Sequence, residues 1–357
     1  MAAVPNREHV GVTAKEIVVR VVALLTLMLL GVFSASLRAE TGDQHAQAAA
    51  RGLVGTTAPR LVLKTIDGQT IDLASLYGKK AVYLEFWATW CVPCRQQMPH
   101  LKQVYEQAGP DLAVIAVDVG FDDTVQDVRN YRRDMGLKMP IVFDDGSIGE
   151  AFHLRVTPQH VVIGRDGRIL FIGHEANAKL EAALLAARTS TASSGTLAAM
   201  PSEEPHYDVG DRLPDLAVPT LSGEAFHLPS QTGKNQPTVL VFLSPWCETY
   251  LAGSRPALAA SCRAVREQVA ALSRDTHVRW LGIASGLWAG KDDLLAYQKD
   301  HHLTMPLALD ASGTLFRSFR VMHVPTLLVV DAQGRIVRRI EGVDPQLGGE
   351  LKVLASR

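Results

Sequence analysis

The sequence predicts an α/β protein of two tandem domains, each a central mixed sheet flanked by helices, behind an N-terminal targeting segment. Apolar, β-rich runs alternate with helical stretches along the chain. The same order of landmark residues occurs twice. The length of 357 residues also fits about two domains at roughly 150 residues each.

Composition excludes several functional classes. Hydrophobic residues make up 47% of the chain and charged residues 20%, with a formal net charge of −1. That balance provides no basic surface for nucleic acid, so we expect no nucleic-acid partner. The count of 4 cysteines is too low for a scaffold held together by disulfides.

Residues 1–39 have the pattern of a secretory signal or a membrane anchor. Basic residues precede an apolar run at residues 21–33, and small residues follow up to Ala39, a candidate cleavage site. The run is shorter than the ~20 residues that a full span needs, but an uncleaved anchor remains open. Either outcome places the rest of the chain in the periplasm or another extracytoplasmic space, attached to the inner membrane if the segment is retained. Residues 40–52 then predict a short spacer.

A tandem duplication sets the domain boundaries. Trp90-Cys91 recurs as Trp246-Cys247, and other landmarks recur in the same order: Gly55 and Gly210, Pro59 and Pro214, Met139 and Met305, Pro158 and Pro325, Gly167 and Gly334. Between the copies lies a stretch rich in Ser, Thr and Pro, which is typical of linkers. We therefore expect a first domain at residues 53–188, a linker at 189–205 and a second domain at 206–357.

Both copies predict the same order of elements. The first copy has expected strands at residues 81–87, 113–119, 141–143, 161–163 and 169–172, and helices near 92–108, 122–135 and 176–188. The second copy repeats the main strands at residues 238–243, 278–284, 326–331 and 335–340. Residues 59–73 and 214–228 predict an extra hairpin ahead of each core.

The motif Cys91-Val92-Pro93-Cys94 follows a predicted strand and begins a helix. Unpaired backbone N–H groups and the dipole at a helix N-terminus favour a thiolate. Cys91, the first sulfur, is then the nucleophile that attacks a disulfide, and Cys94 resolves the mixed disulfide. Zinc is the alternative for such a pair, but no further ligands occur at a recognisable spacing.

Two more residues complete the expected site. Glu85 lies in the apolar strand run, where burial would raise its pKa and suit it to act as a general base for Cys94. The alternative is a Glu85 that faces solvent at a strand edge. Thr157-Pro158 precedes a predicted strand, and its peptide bond is either cis or an ordinary trans turn.

The stretch FWATWCVPC, residues 86–94, together with Glu85 and Thr157-Pro158, resembles the thioredoxin superfamily. The extra hairpin, the exported N-terminus and residues 118–152 resemble its TlpA/ResA branch. The resemblance covers residues 53–188 and implies a thioredoxin fold, a redox-active Cys91–Cys94 disulfide and a cis Thr157–Pro158 bond. It further implies a substrate groove formed by Trp90, Val92, Pro93, Thr157 and Pro158.

The same resemblance implies a function. Members of the branch reduce or exchange disulfides in exported proteins, some of them apocytochromes, and so serve cytochrome c biogenesis and cell redox homeostasis. We expect a thiol–disulfide oxidoreductase with no organic cofactor and no metal, because sulfur carries the electrons. A membrane electron donor of the DsbD or CcdA type is the expected partner for reduction. The alternative is a copper-binding assembly factor that uses the cysteines as ligands.

The second copy has lost the dithiol. Tyr250 stands where the resolving cysteine would be, and Val241 stands in place of Glu85. One hypothesis is a thioredoxin-like module that binds a partner or packs on the first copy. Another is a displaced pair of Cys247 and Cys262; an unbroken helix would hold their Cα atoms roughly 22 Å apart, unless Gly253 and Pro256 break it. The third is a copper site of Cys247, His323 and Cys262, beside the loop proline Pro325.

Overall fold

The computed structural model of the protein describes residues 41–191, 205–229 and 236–356. The predicted targeting segment, residues 1–39, and residues 192–204 of the predicted linker lie outside these ranges. Within them, no helix has the length and apolar character required to cross a bilayer.

The first domain contains a hairpin and a five-stranded sheet. Helix α1 (Gly42–Ala50) precedes the hairpin β1 (Val62–Lys64) and β2 (Thr70–Asp72). The core follows as β3 (Ala81–Trp87), α2 (Val92–Glu106), β4 (Leu112–Asp118), α3 (Val125–Met135), β5 (Ile141–Phe143), α4 (Ser147–Ala151), β6 (Gln159–Ile163), β7 (Ile169–Gly173) and α5 (Ala178–Thr189).

Strand β3 is the centre of this sheet, whose order is β5-β4-β3-β6-β7. It runs parallel to β4 and antiparallel to β6, so the sheet is mixed as expected. Every residue of β3 is buried, because helices cover both faces of a central strand and leave it no solvent side. The strand therefore delivers the Cys91 motif from the middle of the sheet.

The second domain repeats this architecture, with sheet order β12-β11-β10-β13-β14. Its elements are β8 (Leu216–Pro219), β9 (Ala225–Leu228), β10 (Thr238–Leu243), α6 (Cys247–Tyr250), α7 (Pro256–Leu272), β11 (Arg279–Ser285), α8 (Lys291–Asp300), β12 (Leu307–Asp310), α9 (Thr314–Ser318), β13 (Thr326–Val330), β14 (Ile336–Glu341) and α10 (Leu347–Ala355). The fold class and the duplication are confirmed. The main difference is that one long helix of the first domain, α2, is replaced by the pair α6 and α7.

The prediction of a spacer at residues 40–52 was wrong for most of that stretch. Thr41 and Gln44 form a reciprocal capping box that begins α1. The small side chains of Ala46 and Ala49 are buried, and the helix packs against β7. A run of alanines has high helix propensity and allows close packing, so this segment belongs to the first domain.

The two domains pack on each other through equivalent surfaces. The Asp122 amide donates to the Met322 carbonyl, and the Trp288 amide donates to the Arg155 carbonyl, both at 2.8 Å. Asp122 and Trp288 occupy the same position in the repeat, and both are non-glycine residues in the left-handed region, with φ of 55° and 56°. The reciprocity is that of an isologous dimer made within one chain.

Candidate active site

The Cys91–Cys94 pair lies where β3 leads into α2. Cys91 is the N-cap residue of α2, and its Sγ accepts from the Cys94 amide at 3.2 Å. The two sulfurs form a disulfide with a Cα–Cα distance of 5.2 Å. Both residues have no exposed surface. The helix N-terminus thus gives the Cys91 sulfur a backbone donor, the Cys94 amide, an arrangement that stabilises a thiolate after reduction.

The proline loop lies against Cys91. The Thr157–Pro158 peptide bond is cis, as the resemblance implied. The Thr157 carbonyl oxygen is 3.4 Å from Cys91 Sγ. The structure therefore brings together Cys91, Cys94, Thr157 and Pro158, which are far apart in the sequence.

Glu85 is completely buried, so the alternative of a solvent-facing carboxylate at a strand edge was wrong. Its Cα pairs with that of His160 on β6, and His160 contacts Gln97 of α2, which puts Glu85 on the face that α2 covers. Tyr83 Oη donates to Glu85 Oε2 at 3.2 Å, and Oε1 has no partner among the described residues. Burial raises the pKa of Glu85 to about 8, although the bond from Tyr83 opposes the shift.

A chain of hydrogen bonds leads from Glu85 to the edge of α2. Tyr83 Oη is also 2.9 Å from His160 Nδ1, and His160 Nε2 is 3.0 Å from Gln97 Oε1. Burial lowers the pKa of His160 to about 3, so its imidazole is neutral at physiological pH. A neutral imidazole has one donor and one acceptor. Because Gln97 Oε1 only accepts, Nε2 carries the ring proton and Nδ1 is an acceptor, so His160 and Glu85 compete for the single hydroxyl proton of Tyr83.

The second domain covers the expected substrate groove. The Trp90 and Trp246 rings stack with centroids 5.3 Å apart. Tyr250 Oη accepts from the Val92 amide at 2.9 Å, and Trp288 Nε1 donates to Thr157 Oγ1 at 3.1 Å. Trp90, Thr157 and Pro158 are buried, while Val92 keeps an exposed fraction of 37% and Pro93 is partly exposed.

Arg255 fastens the second domain to the loop beside Cys91. Its guanidinium donates to Asp123 Oδ1 at 2.5 Å, to Thr89 Oγ1 at 2.8 Å and to the Asp122 carbonyl. The Asp123 side chain has no exposed surface. Asp123 also accepts from the amide and hydroxyl of Thr89, so one buried carboxylate joins the active-site turn to the other domain.

Cys247 and Cys262 form a second disulfide, with a Cα–Cα distance of 6.3 Å. The helix break expected near Pro256 is present, because α6 ends at Tyr250 and α7 begins at Pro256. His323 Nδ1 lies 3.5 Å from Asp122 Oδ1 of the first domain, and the Val324–Pro325 bond is cis. In the described ranges, no three or more His, Cys, Asp or Glu side chains are grouped so that they could hold a metal ion.

Sequence reasoning missed several residues of the site. Tyr83 had a readable signal, because it is two residues before Glu85 on a strand and so shares its face. His160 had none, since its position opposite Glu85 depends on strand register. Tyr250 was noted only as standing in place of a cysteine, and Trp288 was not assigned to the site, because contacts between domains leave no mark in local patterning.

The chain is similar in sequence to several known proteins. The sequence profile described as the AhpC/TSA family matches residues 54–172 and 209–339. The thiol-disulfide oxidoreductase ResA of Bacillus anthracis is 33% identical over 132 residues, covering 36% of this chain and 75% of the relative. ResA of Bacillus subtilis (strain 168) is 31% identical over 118 residues, or 32% of this chain and 64% of the relative. The crystal structure of a thiol:disulfide interchange protein from Chlorobium tepidum TLS is 28% identical, with a TM-score of 0.33, over 37% of this chain and 96% of that one.

Proposed function

Because this chain belongs to the AhpC/TSA family and is a thioredoxin-like thiol–disulfide oxidoreductase, we propose that it reduces or exchanges disulfides of exported proteins through Cys91 and Cys94. The observation that carries the proposal is the Cys91–Cys94 disulfide at a strand–helix junction. It lies against the Thr157 carbonyl and over the face that holds buried Glu85.

In the reducing direction the pair begins as a dithiol. The Cys91 thiolate attacks one sulfur of the substrate disulfide, and the other substrate sulfur leaves as a thiolate. Cys94 then attacks Cys91 Sγ, the mixed disulfide breaks, and the second substrate thiolate leaves. Two electrons pass to the substrate and the Cys91–Cys94 disulfide forms, which is the state in the structure.

Glu85 holds the proton of this cycle. Its raised pKa, about 8, leaves the carboxyl mostly protonated at neutral pH, with a minor carboxylate fraction, on the sheet face that α2 covers. In the reverse direction it gives that proton to Cys94 as the disulfide opens, and in the reducing direction the carboxylate takes it from Cys94. Tyr83 and His160, whose hydroxyl and imidazole can each pass on a proton, connect Glu85 toward α2, where Gln97 Oε1 accepts from His160 Nε2.

The second domain serves partner recognition in this proposal. Cys91 has no exposed surface, so a protein substrate must first displace Trp246, Tyr250 and Trp288. A partner that binds the second domain and draws it away supplies the free energy for this step. Only such a partner then reaches Cys91, which prevents non-specific exchange.

We place this activity outside the cytoplasm. The secretory pattern of residues 1–39 supports that location, and retention of the segment would attach the protein to the inner membrane. A reductase there needs electrons from across the membrane, so a donor of the DsbD or CcdA type is the proposed partner, and apocytochromes are candidate substrates.

The test is disulfide exchange with a peptide that carries a single disulfide, followed by alkylation and mass mapping. We expect Cys91→Ser to abolish exchange. Cys94→Ser should accumulate a mixed disulfide at Cys91. The matched control is Cys247→Ser/Cys262→Ser, which keeps the first pair and should still reduce the peptide. Unchanged exchange in Cys91→Ser would refute the proposal.

A further inference from the structure

Three of the contacts that fasten the second domain to the residues around Cys91 come from one short segment, residues 246–255, which we call the cap. Its Trp246 stacks on the tryptophan that precedes Cys91. Its Tyr250 accepts from a backbone amide of α2, and its Arg255 donates to a buried carboxylate of the first domain. Access to Cys91 therefore depends on how firmly the cap is held.

The cap has little backbone structure of its own. Helix α6 is a single turn, Cys247–Tyr250, and it is separate from α7, which begins at Pro256. In the first domain the corresponding stretch is the continuous helix α2 of 15 residues. A single helical turn is unstable by itself, because one or two hydrogen bonds do not offset the ordering of its backbone. The cap must therefore be held by side chains.

Two side-chain links join α6 to α7. The disulfide connects Cys247, the first residue of α6, to Cys262 in the second turn of α7. Glu248 of α6 also pairs with Arg266 of α7 at 2.6 Å. The ion pair can separate and be replaced by water, whereas the disulfide is covalent and closes a loop that contains most of the cap. The disulfide thus limits how far α6 can move away from α7.

The far end of this link is itself anchored. Cys262 belongs to the 17-residue helix α7, and its Sγ is 3.9 Å from the carbonyl oxygen of Val324. The Val324 amide donates to Asp122 Oδ1 of the first domain at 3.1 Å. The disulfide therefore connects the cap to a long helix and to a loop that contacts the first domain.

The second domain also has a core that does not include the disulfide. Strand β10 and helix α7 meet in a hydrophobic cluster that contains Val241 and Val265. Cys247 and Cys262 belong instead to the cluster that continues into the first domain and includes Cys91. Loss of the disulfide should therefore loosen the cap while the second domain stays folded.

We propose that Cys247 and Cys262 are positioning residues that control access to Cys91, because their disulfide makes the cap leave Cys91 only together with the whole second domain. Without the disulfide, α6 detaches by local unfolding while the domains stay in contact. A local opening exposes less surface and requires less free energy than separation of the domains. This inference rests on the proposed function only in that Cys91 is the reacting sulfur.

The first experiment measures access to Cys91 with and without the link. Cys94→Ser leaves Cys91 as the free thiol while the second disulfide stays intact, which mass mapping verifies. Its alkylation by iodoacetamide is compared with that of Cys94→Ser/Cys247→Ala/Cys262→Ala, where alanine keeps the site apolar. We expect alkylation to be at least tenfold faster in the triple variant, with circular dichroism showing that the fold persists. Equal rates would overturn the proposal.

A matched control separates this effect from a general loss of stability. Cys94→Ser/Val265→Ala keeps the disulfide but removes side-chain volume from the core of the second domain, which lowers its stability. We expect Cys91 alkylation in this variant to stay within about twofold of Cys94→Ser. A tenfold acceleration here as well would assign the effect to reduced stability and overturn the role of the disulfide.

The second experiment leaves the second disulfide unchanged, so it holds even if the triple variant folds poorly. Cys91 alkylation in Cys94→Ser is measured in increasing urea below the unfolding transition. Urea favours an opening in proportion to the surface that the opening exposes. Separation of the domains therefore makes the rate rise steeply with urea. A rate independent of urea would show that the cap opens locally under the intact disulfide, which would overturn the proposal.

Neither experiment involves a substrate disulfide. Peptide reduction and its loss in Cys91→Ser test the proposed function, whereas iodoacetamide reports only how often Cys91 is uncovered. A failure of the proposed function and a failure of the cap's control by Cys247 and Cys262 are therefore seen in different measurements.

Discussion

Trp90 of the first domain and Trp246 of the second stack across the domain boundary, with ring centroids 5.3 Å apart and planes 29° from parallel. They are the same position of the duplicated chain, each one residue before a cysteine. Each indole N–H donates to a carbonyl of its own domain, that of Phe121 or Leu287. Both rings are therefore held in place before they meet, and exposing Cys91 requires separating them.

Tyr250→Phe should make Cys91 easier to reach. The change removes the acceptor of the Val92 amide but keeps the ring. Loss of one hydrogen bond of about 1 kcal/mol raises the population of the open arrangement about fivefold. The rate of Cys91 alkylation in the reduced protein, followed by mass spectrometry, measures this, with Tyr105→Phe on α2 as the control. An unchanged rate would show that Tyr250 does not hold the domains closed.

Arg255→Ala should destabilise the protein more at neutral than at acidic pH. It leaves the buried Asp123 carboxylate without its guanidinium partner, at a loss of about 3 kcal/mol in the free energy of unfolding. Burial already raises the Asp123 pKa and Arg255 opposes this, so the pKa rises further in the variant. Protonation then removes part of the penalty as pH falls. Urea unfolding at pH 7 and pH 5 measures the difference. As a control, Arg263→Ala, at an exposed arginine, should change the free energy of unfolding little. A loss of stability in Arg255→Ala that is larger at pH 5 than at pH 7 would contradict the mechanism.

Glu85→Gln should stabilise the protein increasingly between about pH 4.5 and pH 8. The Glu85 pKa rises from 4.5 to about 8 on folding. Between pH 4.5 and pH 8 the carboxyl is ionised in the unfolded chain but protonated in the folded protein. The free energy of unfolding of the wild type therefore falls as pH rises through this range and stays constant above about pH 8. Glutamine avoids this loss. Each unit of pKa difference between the folded and unfolded states corresponds to about 1.4 kcal/mol in the free energy of unfolding, so the loss amounts to a few kcal/mol. Melting temperatures at pH 4.5, 6 and 8.5 test the trend, with exposed Glu106→Gln as the control. A constant difference across the series would refute the raised pKa.

Tyr83→Phe should move the pH profile of peptide reduction to higher pH. The Tyr83 hydroxyl lowers the Glu85 pKa by hydrogen bonding, so its removal raises that pKa further. Glu85 then becomes a carboxylate, able to take the Cys94 proton, only at higher pH. The pH dependence of kcat/KM measures the shift. Tyr131→Phe is a matched control because the Tyr131 hydroxyl has no partner among the described residues; an equal shift in both variants would remove Tyr83 from the proton route.

Much of the fold could be predicted because it is encoded locally. The apolar run at residues 81–87 and the run at 238–243 coincide with β3 and β10, since a strand covered on both faces is continuously apolar. Helix α1 was missed because its buried face consists largely of alanines. Alanine is only weakly hydrophobic, so the segment has the composition of a linker. Glu85 was expected in the site from its strand, but whether it faced α2 or solvent depended on the position of β6.

The sequence by itself determined the duplication, the strand–helix junction that presents Cys91 and Cys94, and the absence of that pair from the second copy. Only the tertiary structure decided that Tyr83 and His160 lie next to Glu85, that Cys262 returns to Cys247, and that Trp246, Tyr250 and Trp288 pack over the residues around Cys91. The first set depends on patterns within a few turns of chain. The second depends on strand register and on the packing of two domains, where residues more than 150 positions apart, such as Val92 and Tyr250, meet because both folded cores present the same face.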